Sequence, residues 1–305
     1  MKFTIKENQA GSRLDKFLSQ QLGQSRSQIQ KIIKAGLASV GDKILNANYP
    51  VKIGDHLVIK KPEAAKNHNK KTLSVGYDVI ADAADYLVIN KPVGLLMHGT
   101  PALKEANLAD LLVKKYPSMA KVGEDPYRPG IIHRIDKDVS GLILAAKTQE
   151  FFDAAKLQFQ NRSIKKSYTA LVHGKISADQ GLIDFPIDRA AAGHKMAARP
   201  KGALGRRAIS EFIVMKRFNR FTLVKVTIKT GRTHQIRAHF SAYGHPLVGD
   251  NLYGNKSAKE ANKKLATTRV YLVADELGFT DLNGQKKNFS LELPEDFNQI
   301  FKKIK

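Results

Sequence analysis

The residues best suited to chemistry lie in one stretch, Pro129-Gly130-Ile131-Ile132-His133-Arg134-Ile135-Asp136-Lys137-Asp138-Val139-Ser140-Gly141-Leu142-Ile143-Leu144-Ala145-Ala146-Lys147. A Pro-Gly turn opens it, a dense polar knot follows, and it ends in a nearly unbroken apolar run. Neither parity of 141–146 is polar, which predicts a strand buried on both faces. Charges set against such a strand must be held by partners or serve chemistry, because an isolated buried charge is costly. Asp136 stands between Arg134 and Lys137, cations that favour an ionised carboxylate. Such a group in a dry pocket can add to an electrophilic carbon or assist a deprotonation.

Four other stretches have the spacing of positioning elements. Lys91-Pro92-Val93-Gly94 is a turn. Lys166, Tyr168, Ala170, Val172 and Gly174 recur every second residue along a predicted strand over 163–174; a tyrosine there is ordinarily core or edge packing. Thr230-Gly231-Arg232-Thr233-His234-Gln235-Ile236-Arg237-Ala238-His239-Phe240 leaves a strand at a glycine and continues as a helix over 233–243, stopped by Gly244. The run 244–254, Gly-His-Pro-Leu-Val-Gly-Asp-Asn-Leu-Tyr-Gly, comes next.

Together these stretches carry a resemblance. His133-Arg134-Ile135-Asp136-Lys137-Asp138-Val139-Ser140-Gly141-Leu142 resembles the signature of the RluA/RluD-type pseudouridine synthases, His-Arg-Leu-Asp-x-x-Thr-Ser-Gly-Leu. It departs at Ile135, which is nearly volume-neutral, and at Val139, which lacks the hydroxyl of threonine. The other stretches match further motifs of that family. The resemblance implies a reaction that breaks an N-glycosidic bond, turns the uracil over and rejoins it through carbon, on a nucleotide flipped out of its stack at roughly a few kcal/mol. It implies Asp136 as the carboxylate reaching the ribose and Tyr168 as the planar group packing on the displaced uracil, able to transfer a proton. It implies Arg232 as the cation pairing with Asp136, bidentate where geometry permits. Arg134 is expected to fill the vacated stack or hold phosphates, with His133 and Arg237 as further RNA contacts. Addition of Asp136 at C1′ and a glycal route through C2′ deprotonation both remain open, the second preferred. No cofactor and no metal are implied.

The composition agrees. The chain has 305 residues and a formal charge of +23, which calls for a polyanionic partner. It contains no cysteine, which removes disulfides, Cys-ligated zinc and Cys nucleophiles and fits a reducing cytoplasm. The first residues lack the apolar core of a signal peptide, and no apolar run is long enough to span a bilayer. The expectation is a cytoplasmic monomer with no membrane contact.

Residues 1–61 read as a small module and 62–76, polar and Lys-rich, as a linker; 77–305 form the second domain. In the module, Leu14, Phe17, Leu18 and Leu22 mark one helix, with Ser12 and Asp15 placed like a capping box. Ser25 starts a second helix, with Ile29, Ile32 and Ile33 as its stripe. Short strands over 3–6, 37–40, 43–45 and 56–60 complete it. Arg13-Leu14-Asp15-Lys16-Phe17-Leu18, Ser25-Arg26-Ser27-Gln28-Ile29 and Ile33-Lys34-Ala35-Gly36 resemble the S4 RNA-binding fold in order and spacing. That resemblance implies that Arg13, Lys16, Arg26, Lys31 and Lys34 grip structured RNA. It favours large-subunit ribosomal RNA over transfer RNA as the substrate.

In the second domain, strands are expected over 79–81, 86–90, 210–216, 221–229, 270–273 and 289–293, and helices over 107–116, 149–161 and after Pro294. Residues 181–204, including His194, read as a basic, loop-rich lobe. The fold class is therefore α+β, an S4-like module followed by a synthase domain with a mixed, mainly antiparallel sheet and flanking helices. Residues 133–136 superficially resemble the kinase His-Arg-Asp loop, but a residue is inserted and no Gly-rich phosphate loop or Asp-Phe-Gly occurs. His234 and His239 lie five apart, about 140° around a helix, and so cannot face one metal. A non-catalytic ribosome-assembly factor is the rival reading; it needs none of Asp136, Tyr168 and Arg232 in these motifs.

Overall fold

Leu14, Phe17 and Leu18 recur at helical spacing and bury one face against Ile29 and Ile33. The two helices are α1 (Leu14–Leu22) and α2 (Arg26–Lys34). They accompany a four-stranded antiparallel sheet of order β1-β4-β2-β3, built from β1 (Lys2–Thr4), β2 (Ala38–Val40), β3 (Lys43–Ile44) and β4 (His56–Ile59). Gly23, with φ of +61°, ends α1 in a left-handed cap. The expected capping box does not form. Ser12 Oγ donates to the Gln9 carbonyl, and Asp15, fully buried, accepts from Arg13, Arg26 and Gln30 instead. Three donors from two elements outcompete the local backbone for that carboxylate.

This computed structural model describes residues 1–23, 26–41, 43–59, 76–99, 105–190, 195–199 and 205–304. The chain divides into two units, Met1–His68 and Asn69–Lys305. Ser25, all but the last residue of the expected linker over 62–76, His194 and the side chain of Lys31 lie outside the described residues.

The second unit runs β5 (Asp78–Asp82), β6 (Tyr86–Lys91), α3 (Leu108–Lys115), β7 (Ser140–Ala146), α4 (Gln149–Gln160), β8 (Lys165–His173) and β9 (Gln180–Ile183). It continues with β10 (Ile187–Arg189), β11 (Met196–Ala198), β12 (Ser210–Arg217), β13 (Phe221–Ile228), α5 (Gln235–Ala242), α6 (Lys256–Lys264), β14 (Leu272–Thr280), β15 (Lys286–Ser290) and α7 (Glu295–Lys303). A nine-stranded sheet has the order β5-β6-β7-β14-β8-β13-β12-β9, with β15 also pairing to β14. Only β7 and β14 pair in parallel among the described strands, so the sheet is mixed and mainly antiparallel.

The parity of each strand sorts its side chains between two layers. Ile143, Ala145, Tyr168, Ala170, Val224 and Val226 face the core that also holds Ile236 and Phe240 of α5. Leu142 and Leu144 face the other way, toward Phe151, Phe152 and Ala155 of α4, while Leu171, Leu223 and Val273 meet Phe297 and Ile300 of α7. Strand β7 is buried at every residue, as its unbroken apolar pattern requires.

The loop-rich lobe expected over 181–204 holds three short strands, β9, β10 and β11. Helix α6 had no forecast, because its only buried side chains are Ala258 and Asn262 and it presents no apolar stripe.

Gly141 explains how the Asp136 loop enters β7. Its φ is +126°, and a Cβ there would sit 2.2 Å from the Ala274 carbonyl oxygen on the paired β14. Gly141→Ala is expected to destabilise the protein by at least about 3 kcal/mol, from backbone strain plus overpacking. Chemical denaturation checks this; a stability within experimental error of the parent would contradict it.

Candidate active site

Asp136 lies in the loop before β7, and its position is fixed from two sides. The Val139 amide donates to the Asp136 carbonyl at 3.2 Å, closing a turn. The next carbonyl, of Lys137, accepts from the Gly94 amide at 2.8 Å and from Lys91 Nζ at 3.3 Å. Lys91 is fully buried, and its ammonium also donates to the carbonyls of Pro92 and Leu95, both at 2.8 Å. Burial pulls its pKa down to about 7, opposed by the charge of Asp136. The Lys-Pro-x-Gly turn is thus bolted to the Asp136 loop by a three-donor cation.

The cation that meets the Asp136 carboxylate is Arg237. Its Nη1 donates to Asp136 Oδ2 at 3.3 Å. Its Nε and Nη2 form a fork on Asp250 at 2.7 and 3.0 Å, and its guanidinium carbon lies 5.3 Å from the Tyr253 ring centre. Burial works against the charge, but the hydrogen bonds and field of Asp250, then of Asp136, outweigh it and hold the guanidinium above the ordinary arginine value. Asp250 is itself completely buried and also accepts the amides of Leu252 and Tyr253, each at 3.0 Å.

This bears on two expectations. Arg232 does not clamp Asp136: it is half-exposed, and its Nε donates to the Arg207 carbonyl at 3.2 Å. Arg237, expected as an RNA contact, is 3 % exposed and committed to two carboxylates. Helical geometry is the reason. Thr230 and Gly231 turn the chain so that Arg232 precedes α5 and points to the rim. His234 and Arg237, three residues apart, share the face toward Asp136, with His234 Nε2 3.9 Å from Asp136 Oδ1.

His234 adopts a left-handed conformation, with φ of +54°, at the head of α5. Its Nδ1 pairs with the Tyr253 hydroxyl at 3.0 Å. Gln235 Oε1 accepts from Thr230 Oγ1 at 2.7 Å and from the Arg232 amide at 3.0 Å, tying the turn to the helix. His234 and Gln235 are therefore spent on internal bonds that fix the head of α5, the helix that carries Arg237.

Tyr168 on β8 lines the same small cavity as Asp136, about 90 Å³ in volume and walled also by Val139, His234, Arg237 and Leu272. Burial, and then the charge of Asp136, push the phenol above its ordinary pKa, so the hydroxyl keeps its proton at neutral pH. The cavity adjoins a cleft of about 1090 Å³ whose lining includes Arg128, Arg134, Arg162, Lys165, Lys229 and Arg232. Arg134 is exposed and lines both volumes.

His133, expected as an RNA contact, lines the cleft and also makes internal contacts. Its Nε2 accepts the Leu144 amide of β7 at 2.8 Å, and its ring packs on Phe159 at 4.9 Å. Burial, and then the charge of Lys166, hold its pKa well below the ordinary histidine value. The neutral ring braces the loop that carries Asp136. In the first unit, Lys16 and Lys34 are exposed, whereas Arg13 and Arg26 share the buried Asp15. Burial pushes the Asp15 carboxyl up, yet bonds from Gln30, Arg13 and Arg26 prevail and hold it well below the carboxylate range. Asp250 went unnoticed in the sequence; the only signal was its place after Gly249 in the 244–254 run.

Comparison with known proteins bears on the whole chain. The RNA pseudouridylate synthase family model matches residues 85–242, and the S4 domain model matches residues 12–57. An uncharacterized RNA pseudouridine synthase, YlyB of Bacillus subtilis, is 34 % identical over 304 residues, 99 % of this chain and 97 % of that one. Ribosomal large subunit pseudouridine synthase D of Zymomonas mobilis is 31 % identical over 307 residues, 99 % of this chain and 96 % of its own. The human RNA pseudouridylate synthase domain containing 4 structure shares the fold, with a TM-score of 0.59 at 23 % identity over 73 % of this chain and 91 % of that one. A loop carboxylate backed by a buried arginine and opening on a basic cleft thus sits inside a matched catalytic fold, and this chain belongs to the RNA pseudouridylate synthase family, with an S4 domain ahead of its catalytic domain.

Proposed function

We propose that this synthase isomerises uridines of large-subunit ribosomal RNA, with Asp136 as the reacting carboxylate. The observation that carries the reading is the Asp136–Arg237–Asp250 array at the floor of a small cavity beside a basic cleft. The cavity and the cleft that it adjoins together suit a nucleotide swung out of a helix, with the phosphates around it lying in the cleft.

Asp136 meets the ribose either at C1′ or at the C2′ hydrogen. Tyr168, a protonated phenol beside the carboxylate, can hydrogen-bond the displaced uracil on either route. The fork from Asp250 keeps Arg237 from swinging away when the carboxylate reacts, so the charge is preorganised rather than recruited. Arg134, at the mouth, is the side chain free to occupy the emptied stack. Arg13, Arg26, Lys16 and Lys34 of the S4 domain supply contacts to structured RNA. The relatives named as large-subunit enzymes support the choice of ribosomal RNA. Among the described residues no helix is long and apolar enough to cross a membrane. The absence of cysteine suits a cytoplasmic enzyme, acting as a monomer.

Mapping pseudouridine in large-subunit RNA with and without the protein tests the proposal. Uridines that convert only in its presence are the expected result. Unchanged RNA, together with conversion of transfer RNA, would reassign the substrate.

A further inference from the structure

Five residues line both the catalytic cavity and the basic cleft: Arg134, Lys166, Ile228, Gly231 and Arg232. They form the passage through which a nucleotide leaving the cleft must reach Asp136. Three are cations, and Lys166 differs from the other two. Arg134 is exposed, and Arg232 spends its Nε on a carbonyl. Lys166 is half-buried, with its Nζ 4.7 Å from the centre of the Phe159 ring. No hydrogen bond or carboxylate partner holds it among the described residues.

Its place follows from the strand. Lys166 and Tyr168 are two apart on β8 and so face the same side, about 7 Å from one another along the strand. Tyr168 is inside the cavity, and Lys166 is one step nearer the cleft. The charged residues that share its cleft are Arg128, Arg134, Arg162, Lys165, Lys229 and Arg232 on the basic side and Glu276 on the acidic side, with His133 as a neutral ring. Glu276 is occupied by Lys225 at 2.8 Å. Burial without an anion lowers the Lys166 pKa to about 8. A desolvated ammonium with an aromatic floor and no counterion is an incomplete site, and a phosphate oxygen completes it.

We propose that Lys166, floored by Phe159 at the passage into the cavity, is the seat for a backbone phosphate adjoining the target uridine. The flipped nucleotide is then held at two points, its base by the Tyr168 cavity and its phosphodiester by Lys166. Binding the phosphate in the passage, rather than on the open cleft, favours a nucleotide that has already left its helix. This inference rests on the reading of Asp136 as the reacting centre.

The test is a double-mutant cycle on a synthetic RNA hairpin carrying a mapped target uridine. One strand series has an uncharged methylphosphonate in place of the phosphate 5′ to that uridine, the other in place of the phosphate 3′ to it. Lys166→Met is expected to raise KM about tenfold on native RNA, the worth of one charge-assisted hydrogen bond. Lys166→Arg is expected to recover most of it. On one of the two methylphosphonate RNAs, wild type and Lys166→Met should become equal, because the partner is already gone. Additive losses on both RNAs would overturn the seat, as would an unchanged KM for Lys166→Met. Wild-type conversion of the native hairpin is the internal control, so a failure of the lysine's role is separate from a failure of the proposed activity. A merely structural lysine would lower activity equally on every RNA.

Discussion

Asp136→Asn is expected to stop isomerisation, lowering kcat by more than about 10⁴-fold, while RNA affinity changes little. The amide fills the same space but can neither add to C1′ nor accept the C2′ proton. The fold should survive, because Arg237 keeps its fork on Asp250 and loses a single 3.3 Å bond. The loop around residue 136 is held by main-chain groups, through the Val139 amide and the Lys137 carbonyl, which the substitution leaves alone. Release of tritium from RNA labelled at uracil C5 measures the chemistry, and a filter-binding assay measures the affinity. Turnover near that of the parent would remove Asp136 from the reaction.

The architecture was legible in the sequence to the extent that periodicity carried it. The buried strand β7, the alternation of β13 and the stripes of α1 and α2 announced themselves, because burial and side-chain period are the same fact seen twice. Helix α6 did not, since it buries an asparagine and an alanine and is otherwise polar. Strand β14 read as fragments for another reason. Asp275 and Glu276 interrupt its apolar run, and both pair with Lys225 from β13, a partner no local pattern can reveal.

The catalytic loop was legible through its motif, but the partner of its carboxylate was not. The stretch 230–240 offers two arginines, and choosing between them requires the direction in which the chain leaves β13. That direction is set by the left-handed His234 and by Gln235 tying Thr230 to the Arg232 amide. Once α5 starts there, Arg232 is at the rim and Arg237 is underneath. Asp250, which decides how strongly Arg237 is held, comes from a separate loop. Its contribution is a tertiary fact with no trace in the spacing of the arginines.

The two arginines make the sharpest remaining contrast. Arg237→Met should destabilise the protein by about 3–5 kcal/mol, because it leaves Asp250 buried with no cation and removes one partner of Asp136. For a domain of this size that is a fall in Tm of roughly 10 °C. Activity should drop by at least about a hundredfold even below the new transition, since the remaining carboxylate loses its preorganised counter-charge. Arg237→Lys restores a positive charge but not the fork, so it should recover part of the stability and little of the rate. Arg232→Met, by contrast, should leave Tm nearly unchanged, because the side chain is half-exposed and gives up a single carbonyl bond. Its cost should appear as a several-fold rise in KM for RNA that shrinks at high salt, as expected for a rim cation facing phosphates. Thermal melts and kinetics on the three variants decide the matter. If Arg232→Met lost both stability and kcat while Arg237→Met kept them, the roles assigned to the two arginines would have to be exchanged.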